Sequence, residues 1–247
     1  MINLENFWKQ PPLKPELSDK VVHIWRISFS EHLKNLDKYR NILNDEERAR
    51  ADRFYFTKDL NRFTIARGLL RMLLADYMSI QSEDIIFVYN QFGKPEIPKN
   101  IYCKKISFNI SHSEDLALFA FAIERMIGVD VEFIRARVSF REIATRFFSP
   151  SEVRELYSLP DKLHKEAFFN GWTRKEAYIK AKGKGLAIPL DSFDVSLTPG
   201  KQVLLLDSRD EPGIFYEWFM DELFLGNDYK GAMIVEGKNL DIKCYGL

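Results

Sequence analysis

The stretch from Leu116 to Phe133 constrains the fold more than any other. Its first eight residues, LALFAFAI, carry no polar side chain, and an apolar run of that length suits a strand buried on both faces. Arg125 and Met126 interrupt the run, and IGVDVEF (Ile127 to Phe133) starts a second strand of a different kind. Strand side chains alternate faces, so Val129 and Val131 enter the core while Asp130 and Glu132 project together from the other side.

Around these two strands the chain runs from strand to helix to strand twice. VVHIWRISF (Val21 to Phe29) is apolar and β-branched enough for a strand, and Asn44 followed by Glu47 is a capping-box pattern that opens a helix. Phe63, Ala66, Leu70, Leu73 and Tyr77 recur at spacings of three and four, the apolar face of a helix beginning near Asp59. Its other faces carry Arg62, Arg67 and Arg71. A turn at Gly93, Lys94 and Pro95 leads to an extended segment from Ile106 to Ile110. Beyond the acidic strand a helical pattern runs from Phe140 towards Lys182, broken at Pro150 and Pro160 and stopped by Gly183 and Gly185. Gln202 to Leu206 and Ala232 to Val235 read as strands. No residue-level repeat accompanies this doubling.

With 247 residues, 46% of them hydrophobic, the chain buries enough for one large domain or two small ones fused. Lys plus Arg and Asp plus Glu number 36 each, so nothing in the total charge favours nucleic acid or anionic membrane, and any phosphate site is a local cluster. The N-terminus lacks a signal-peptide pattern, and no stretch reaches the roughly 18 apolar residues of a spanning helix, so the sequence reads as soluble and intracellular. Cys103 and Cys244 are too few and too far apart for a disulfide framework and read as two buried, reduced thiols.

The chemical signal lies in carboxylates. Asp130 and Glu132 stand roughly 6 to 7 Å apart at their backbones, a spacing that suits one hard cation such as magnesium or manganese. Alone, the pair reads more simply as the solvated acidic face of an ordinary half-buried strand. In FFNGWTRKEAYIKAK, Trp172, Glu176 and Lys180 are spaced by four and share one helical stripe. Glu176 and Lys180 alone would be an ordinary exposed ion pair, but a Trp on the same stripe implies that the stripe faces protein. If Glu176 faces the strand pair, three carboxylates converge, and they coexist only with a cation or bound protons.

FNISHS (Phe108 to Ser113) ends a strand in small donors, among which Ser111 and His112 suit a phosphate; a Ser-His-Ser turn capped by its own side chains is the plain alternative. Arg50, Arg53 and Lys58 make the region before the first long helix locally basic. KGKG (Lys182 to Gly185) reads as a helix stop, since the GxxxxGK[ST] phosphate loop is absent. HExxH, GxSxG and GxGxxG are also absent.

Taken in order, RFYFTKDLNR (Arg53 to Arg62), FGKP (Phe92 to Pro95), FNISHS, IGVDVE (Ile127 to Glu132), RFFSPSE (Arg146 to Glu152) and WTRKEAYIKAKGKGL (Trp172 to Leu186) resemble the 4′-phosphopantetheinyl transferases of the long, Sfp-type branch, over residues 40 to 198. The resemblance implies an α+β fold of two similar halves in pseudo-twofold arrangement, residues 1–123 and 124–247, the second carrying the metal site. It implies transfer of 4′-phosphopantetheine from coenzyme A to a serine of an apo acyl, peptidyl or polyketide carrier protein, in the cytoplasm, by a monomer that engages neither nucleic acid nor membrane. Asp130, Glu132 and Glu176 would hold Mg2+ or Mn2+. Glu176, Lys180 and Asp130 would be catalytic. Lys94, Ser111, His112 and Lys180 would hold the nucleotide or its phosphates, with Arg53, Arg62 and Arg50 as further contacts. Glu46 and Glu47 stand where the family has basic phosphate contacts, and Arg48 and Arg50 are the expected substitutes. A silent module that binds coenzyme A or carrier proteins is one rival. A metal-dependent nuclease is the other, weakened by the neutral charge and by a Glu-to-Lys spacing that is helical here.

Overall fold

The computed structural model describes residues 7–98, 101–102, 105–135, 139–209, 213 and 217–247. The first half runs β1 (Val21–Ser28), α1 (Phe29–His32), α2 (Leu36–Asn41), α3 (Asp45–Ala51), α4 (Thr57–Met78), β2 (Val88–Tyr89), β3 (Pro95–Glu96), β4 (Ile106–Ser113) and β5 (Leu116–Ile123). The second runs β6 (Ile127–Phe133), α5 (Phe140–Phe147), α6 (Pro150–Ser158), α7 (Asp161–Lys182), β7 (Phe193–Val195), β8 (Leu205–Ser208), β9 (Trp218–Leu223), β10 (Tyr229–Glu236) and β11 (Asp241–Gly246).

The doubling absent from the residues is present in the topology. In the first half β5 lies between β1 and β4, and in the second β10 lies between β6 and β9, all antiparallel. Each half also carries one helix of 22 residues, α4 and α7. β11 breaks the symmetry by crossing back to lie parallel beside β1. The expected α+β class is therefore the observed one.

Local chemistry sets the element ends. Asn44 and Glu47 form both hydrogen bonds of the capping box at α3, and Ser149 with Glu152 does the same at α6, where Pro150 occupies the first turn. The expected breaks at Pro150 and Pro160 separate three helices, and Gly183 ends α7 in the left-handed region at φ 67°. Leu116 to Ile123 and Ile127 to Phe133 form strands with the expected bounds.

Three expectations need correction. Arg67 and Arg71, carried on the faces of the first long helix away from its apolar stripe, are not exposed there. Both are buried, because Glu47 reaches into the core and pairs with Arg71 at 2.7 Å and Arg67 at 3.6 Å. FNISHS ends a strand as expected but is no turn: β4 continues past Ile110 through Ser113. The strand expected at Gln202 begins only at Leu205, after Leu204 N–H is taken by Ser196 Oγ at 2.9 Å and the ladder shifts register at Asp194/Val195. Cys244 is a free, buried thiol; Cys103 lies outside the described residues. Among the described residues no helix is long and apolar enough to cross a membrane.

Candidate active site at the seam of the halves

β6 is an edge strand of its sheet, so the N–H groups of Val129, Val131 and Phe133 point away from β10. Left unpaired in a buried seam, each would be costly. Instead β4 lies alongside and offers side chains: Val129 N–H donates to Asn109 Oδ1 at 3.0 Å, Val131 N–H to Ser111 Oγ at 3.3 Å and Phe133 N–H to Ser113 Oγ at 3.1 Å. Alternation along β4 puts these three acceptors on one face and His112 on the other.

The same two serines reach the strand carboxylates. Ser111 Oγ donates to Asp130 Oδ1 at 2.8 Å and Ser113 Oγ to Glu132 Oε2 at 3.0 Å. Asp130 is buried, and its second oxygen, Oδ2, is buried without a hydrogen-bond partner.

α7 closes the seam from the other side, antiparallel to β6. Gly128 lets it in: a Cβ there would stand 1.9 Å from Ala177 O and 2.6 Å from Ala181 N, so only glycine permits this approach of backbone to backbone. The consequence is the convergence expected for Trp172, Glu176 and Lys180. Lys180 Nζ donates to Asp130 Oδ1 at 2.6 Å and Ser111 Oγ at 2.8 Å. Trp172 is half-buried, stacked on Phe168 with centroids 6.0 Å apart, and its indole favours the charged form of Glu132.

The charges feel one another. Burial first, then Asp130 and Glu132, push the Glu176 carboxyl up to about 7, against the pull of Lys180. Glu132 is raised by burial and then by Asp130. As they stand, no three His, Cys, Asp or Glu side chains among the described residues form a group that could hold a metal ion, and Lys180 is bonded to Asp130 Oδ1. The residues nevertheless fit a hard cation. The donors are all oxygen, Asp130 keeps a buried oxygen without a partner, and magnesium binds carboxylate oxygens together with substrate phosphates and water.

The other expected residues fall into three places. His112 and Arg62 stand near Lys180: the imidazole is held below its ordinary pKa by burial and then by Lys180 and Arg62. Arg62 also meets Glu114 at 3.2 Å. Lys94 lies at the C-terminal end of α7, where its ammonium donates to Lys180 O at 2.8 Å and Ala181 O at 3.3 Å, complementing the helix dipole. Burial lowers its pKa to about 8, and it lines a cavity of about 460 Å3 with Ser107, Met126 and Lys182. Arg50 and Arg53 line a separate cavity of about 210 Å3 with Asn44, Glu46, Glu47, Phe87 and Tyr89. Arg48 is occupied by Leu43 O and Asp45.

Asn109, Ser113 and Gly128 build this site and were not singled out from sequence; Asn-x-Ser-x-Ser on one strand face was the signal. Asn90 was missed too. Its amide donates to Gly183 O at 2.9 Å and its carbonyl accepts from Phe92 and Lys94 N–H, tying the β2–β3 turn to the end of α7.

Two family models match this chain. The 4′-phosphopantetheinyl transferase superfamily matches residues 126–233, and the family described as 4′-phosphopantetheinyl transferase, N-terminal, matches residues 25–124. The chain is 40% identical over 235 residues to 4′-phosphopantetheinyl transferase HetI of Nostoc sp., covering 95% of both proteins. It is 34% identical to 4′-phosphopantetheinyl transferase Sfp of Bacillus subtilis, covering 68% of this chain and 72% of that one. Among solved structures, Thermotoga maritima holo-[acyl-carrier-protein] synthase aligns at 23% identity and a TM-score of 0.37, over 45% of this chain and 62% of that one. On the near-complete match at 40% identity, the chain belongs to the 4′-phosphopantetheinyl transferase superfamily, in its Sfp-type branch.

Proposed function

We propose that the seam of β4, β6 and α7 is where this transferase moves 4′-phosphopantetheine from coenzyme A to a serine hydroxyl of an apo acyl, peptidyl or polyketide carrier protein, releasing adenosine 3′,5′-bisphosphate. The observation that carries the reading is three carboxylates and one ammonium along a single buried seam, with Asp130 Oδ2 lacking a partner. Asp130, Glu132 and Glu176 would hold magnesium, with manganese as a substitute. When bound, the ion supplies positive charge for the pyrophosphate oxygens as the phosphorus changes hands.

The chain's own residues do the rest. Lys180 meets the charge that builds on the phosphoryl oxygens, and Ser111, at 2.8 Å, keeps the ammonium aimed. Glu176, a carboxylate beside two others, takes the proton from the attacking serine. His112 and Arg62 sit beside Lys180 and suit the phosphates. Lys94, Arg50 and Arg53 line cavities suited to the nucleotide end. In this reading residues 1–123 and 124–247 are the two halves, the second carrying the carboxylates, and the enzyme works as a cytoplasmic monomer.

Metal removal tests it. Transfer should stop in excess chelator and return with magnesium or manganese, while zinc, which favours Cys and His ligands, should not restore it. Undiminished transfer in excess chelator would remove the three-carboxylate site.

A further inference from the structure

We infer that Ser113 is a positioning residue that presents Glu132 to the metal, an inference resting on the metal reading above. Its hydroxyl has one proton to give. The Phe133 N–H, donating to Oγ at 3.1 Å, fills one of its lone pairs, and the ionised Glu132 oxygen beside it can only accept. The O–H is thereby left to donate to Glu132 Oε2, at 3.0 Å. Because Phe133 is the next residue after Glu132, backbone and carboxylate are fixed by the same atom. Ser113 itself is buried, so water does not substitute for it.

The rung at Asn109 separates two roles of this ladder. Asn109 accepts from Val129 N–H at 3.0 Å and, among the described residues, donates no hydrogen bond to Asp130 or Glu132, so it holds the seam only. Ser113 holds the seam and one ligand. Ser113 is the side chain that donates a hydrogen bond to Glu132 from β4. Supporting partners of this kind change metal affinity by about 10- to 100-fold when removed.

The test is Mn2+ binding, followed by the free-ion paramagnetic signal, in full-length protein saturated with coenzyme A and corrected for coenzyme A alone. Ser113→Ala should weaken Mn2+ about tenfold or more and raise the magnesium concentration needed for half-maximal transfer, with kcat largely recovered at saturating metal. Ser113→Thr, which keeps the hydroxyl, should restore affinity. Asn109→Ala should lower the melting temperature without that metal effect. If Ser113→Ala does not fold, Ser113→Cys, of similar shape but a weak donor, should show the same loss. Wild-type Mn2+ affinity in the Ala or Cys protein would overturn the role of Ser113 and leave the metal site standing. A wild-type protein that binds no Mn2+ would overturn both.

Discussion

Gly128→Ala is the sharpest probe of how α7 is brought to the carboxylates. The new methyl would lie 1.9 Å from Ala177 O and 2.6 Å from Ala181 N. Carbon contacts settle at about 3.5 Å, so strand and helix must part by about 1.5 Å. Both obstructing atoms are backbone, and no side chain can swing aside. Overpacking costs about 1 to 3 kcal/mol, and this site belongs at the upper end. A protein of this size loses about 2 to 4 °C of Tm per kcal/mol, so differential scanning calorimetry should show a fall of about 6 to 12 °C. Function should suffer more. The 2.6 Å contact between Lys180 and Asp130 spans the same gap, and a misplacement of about 1 Å can cost about a hundredfold in rate. A Gly128→Ala protein that melts within 2 °C of wild type, on the calorimetric scale above, and transfers normally would refute the close approach of α7 to β6.

Two further perturbations test groups away from the chemistry. Lys175 is fully buried against Glu152 at 2.8 Å and donates to Leu190 O and Phe193 O, both at 2.6 Å; Glu152→Ala strands that ammonium and should cost about 3 to 5 kcal/mol in urea unfolding, whereas under 1 kcal/mol would show that the pair is not desolvated. His23 is buried, and desolvation followed by Lys243 lowers its pKa from 6.5 to about 4. Because the folded state binds the proton less well, this residue's share of stability is complete above about pH 6.5, falls as pH drops and levels off below 4, a loss of about 3 kcal/mol. Melts of wild type and His23→Gln from pH 7.5 to 4 should converge by that amount, and parallel curves would contradict it.

The legibility of this chain follows from which signals are local. Caps and prolines act within one turn, so the helix breaks at Pro150 and Pro160 and the capping box at Asn44 were readable. The carboxylates were readable because strand alternation and helical spacing each put them on a defined face. What failed depended on partners distant in sequence. Arg67 and Arg71 look solvated until Glu47 is seen reaching them from another helix. Ser111 reads as a phosphate donor or a turn cap because the partners of Ser111 and Ser113, the N–H groups on the open side of β6, exist only once β6 becomes a sheet edge. β9 and β11 are short and carry charges at Asp221, Glu222, Asp241 and Lys243, which masks their alternation. The crossing of β11 to β1 leaves no local trace at all.

The central claim is that phosphopantetheine transfer is carried out at Asp130, Glu132, Glu176 and Lys180. Its most direct measurement is the intact mass of apo acyl and peptidyl carrier proteins after incubation with this protein, magnesium and coenzyme A. The account predicts a gain of about 340 Da, the mass of the cofactor's phosphopantetheinyl group, lost when the acceptor serine is changed to Ala. Glu176→Gln should slow that gain about a hundredfold or more, the scale of a general base's contribution. Carriers left unmodified by a wild-type protein that still binds coenzyme A tightly would contradict the account in favour of a silent binding module. Transfer by Glu176→Gln at the wild-type rate would leave the enzyme class intact and remove Glu176 from its centre.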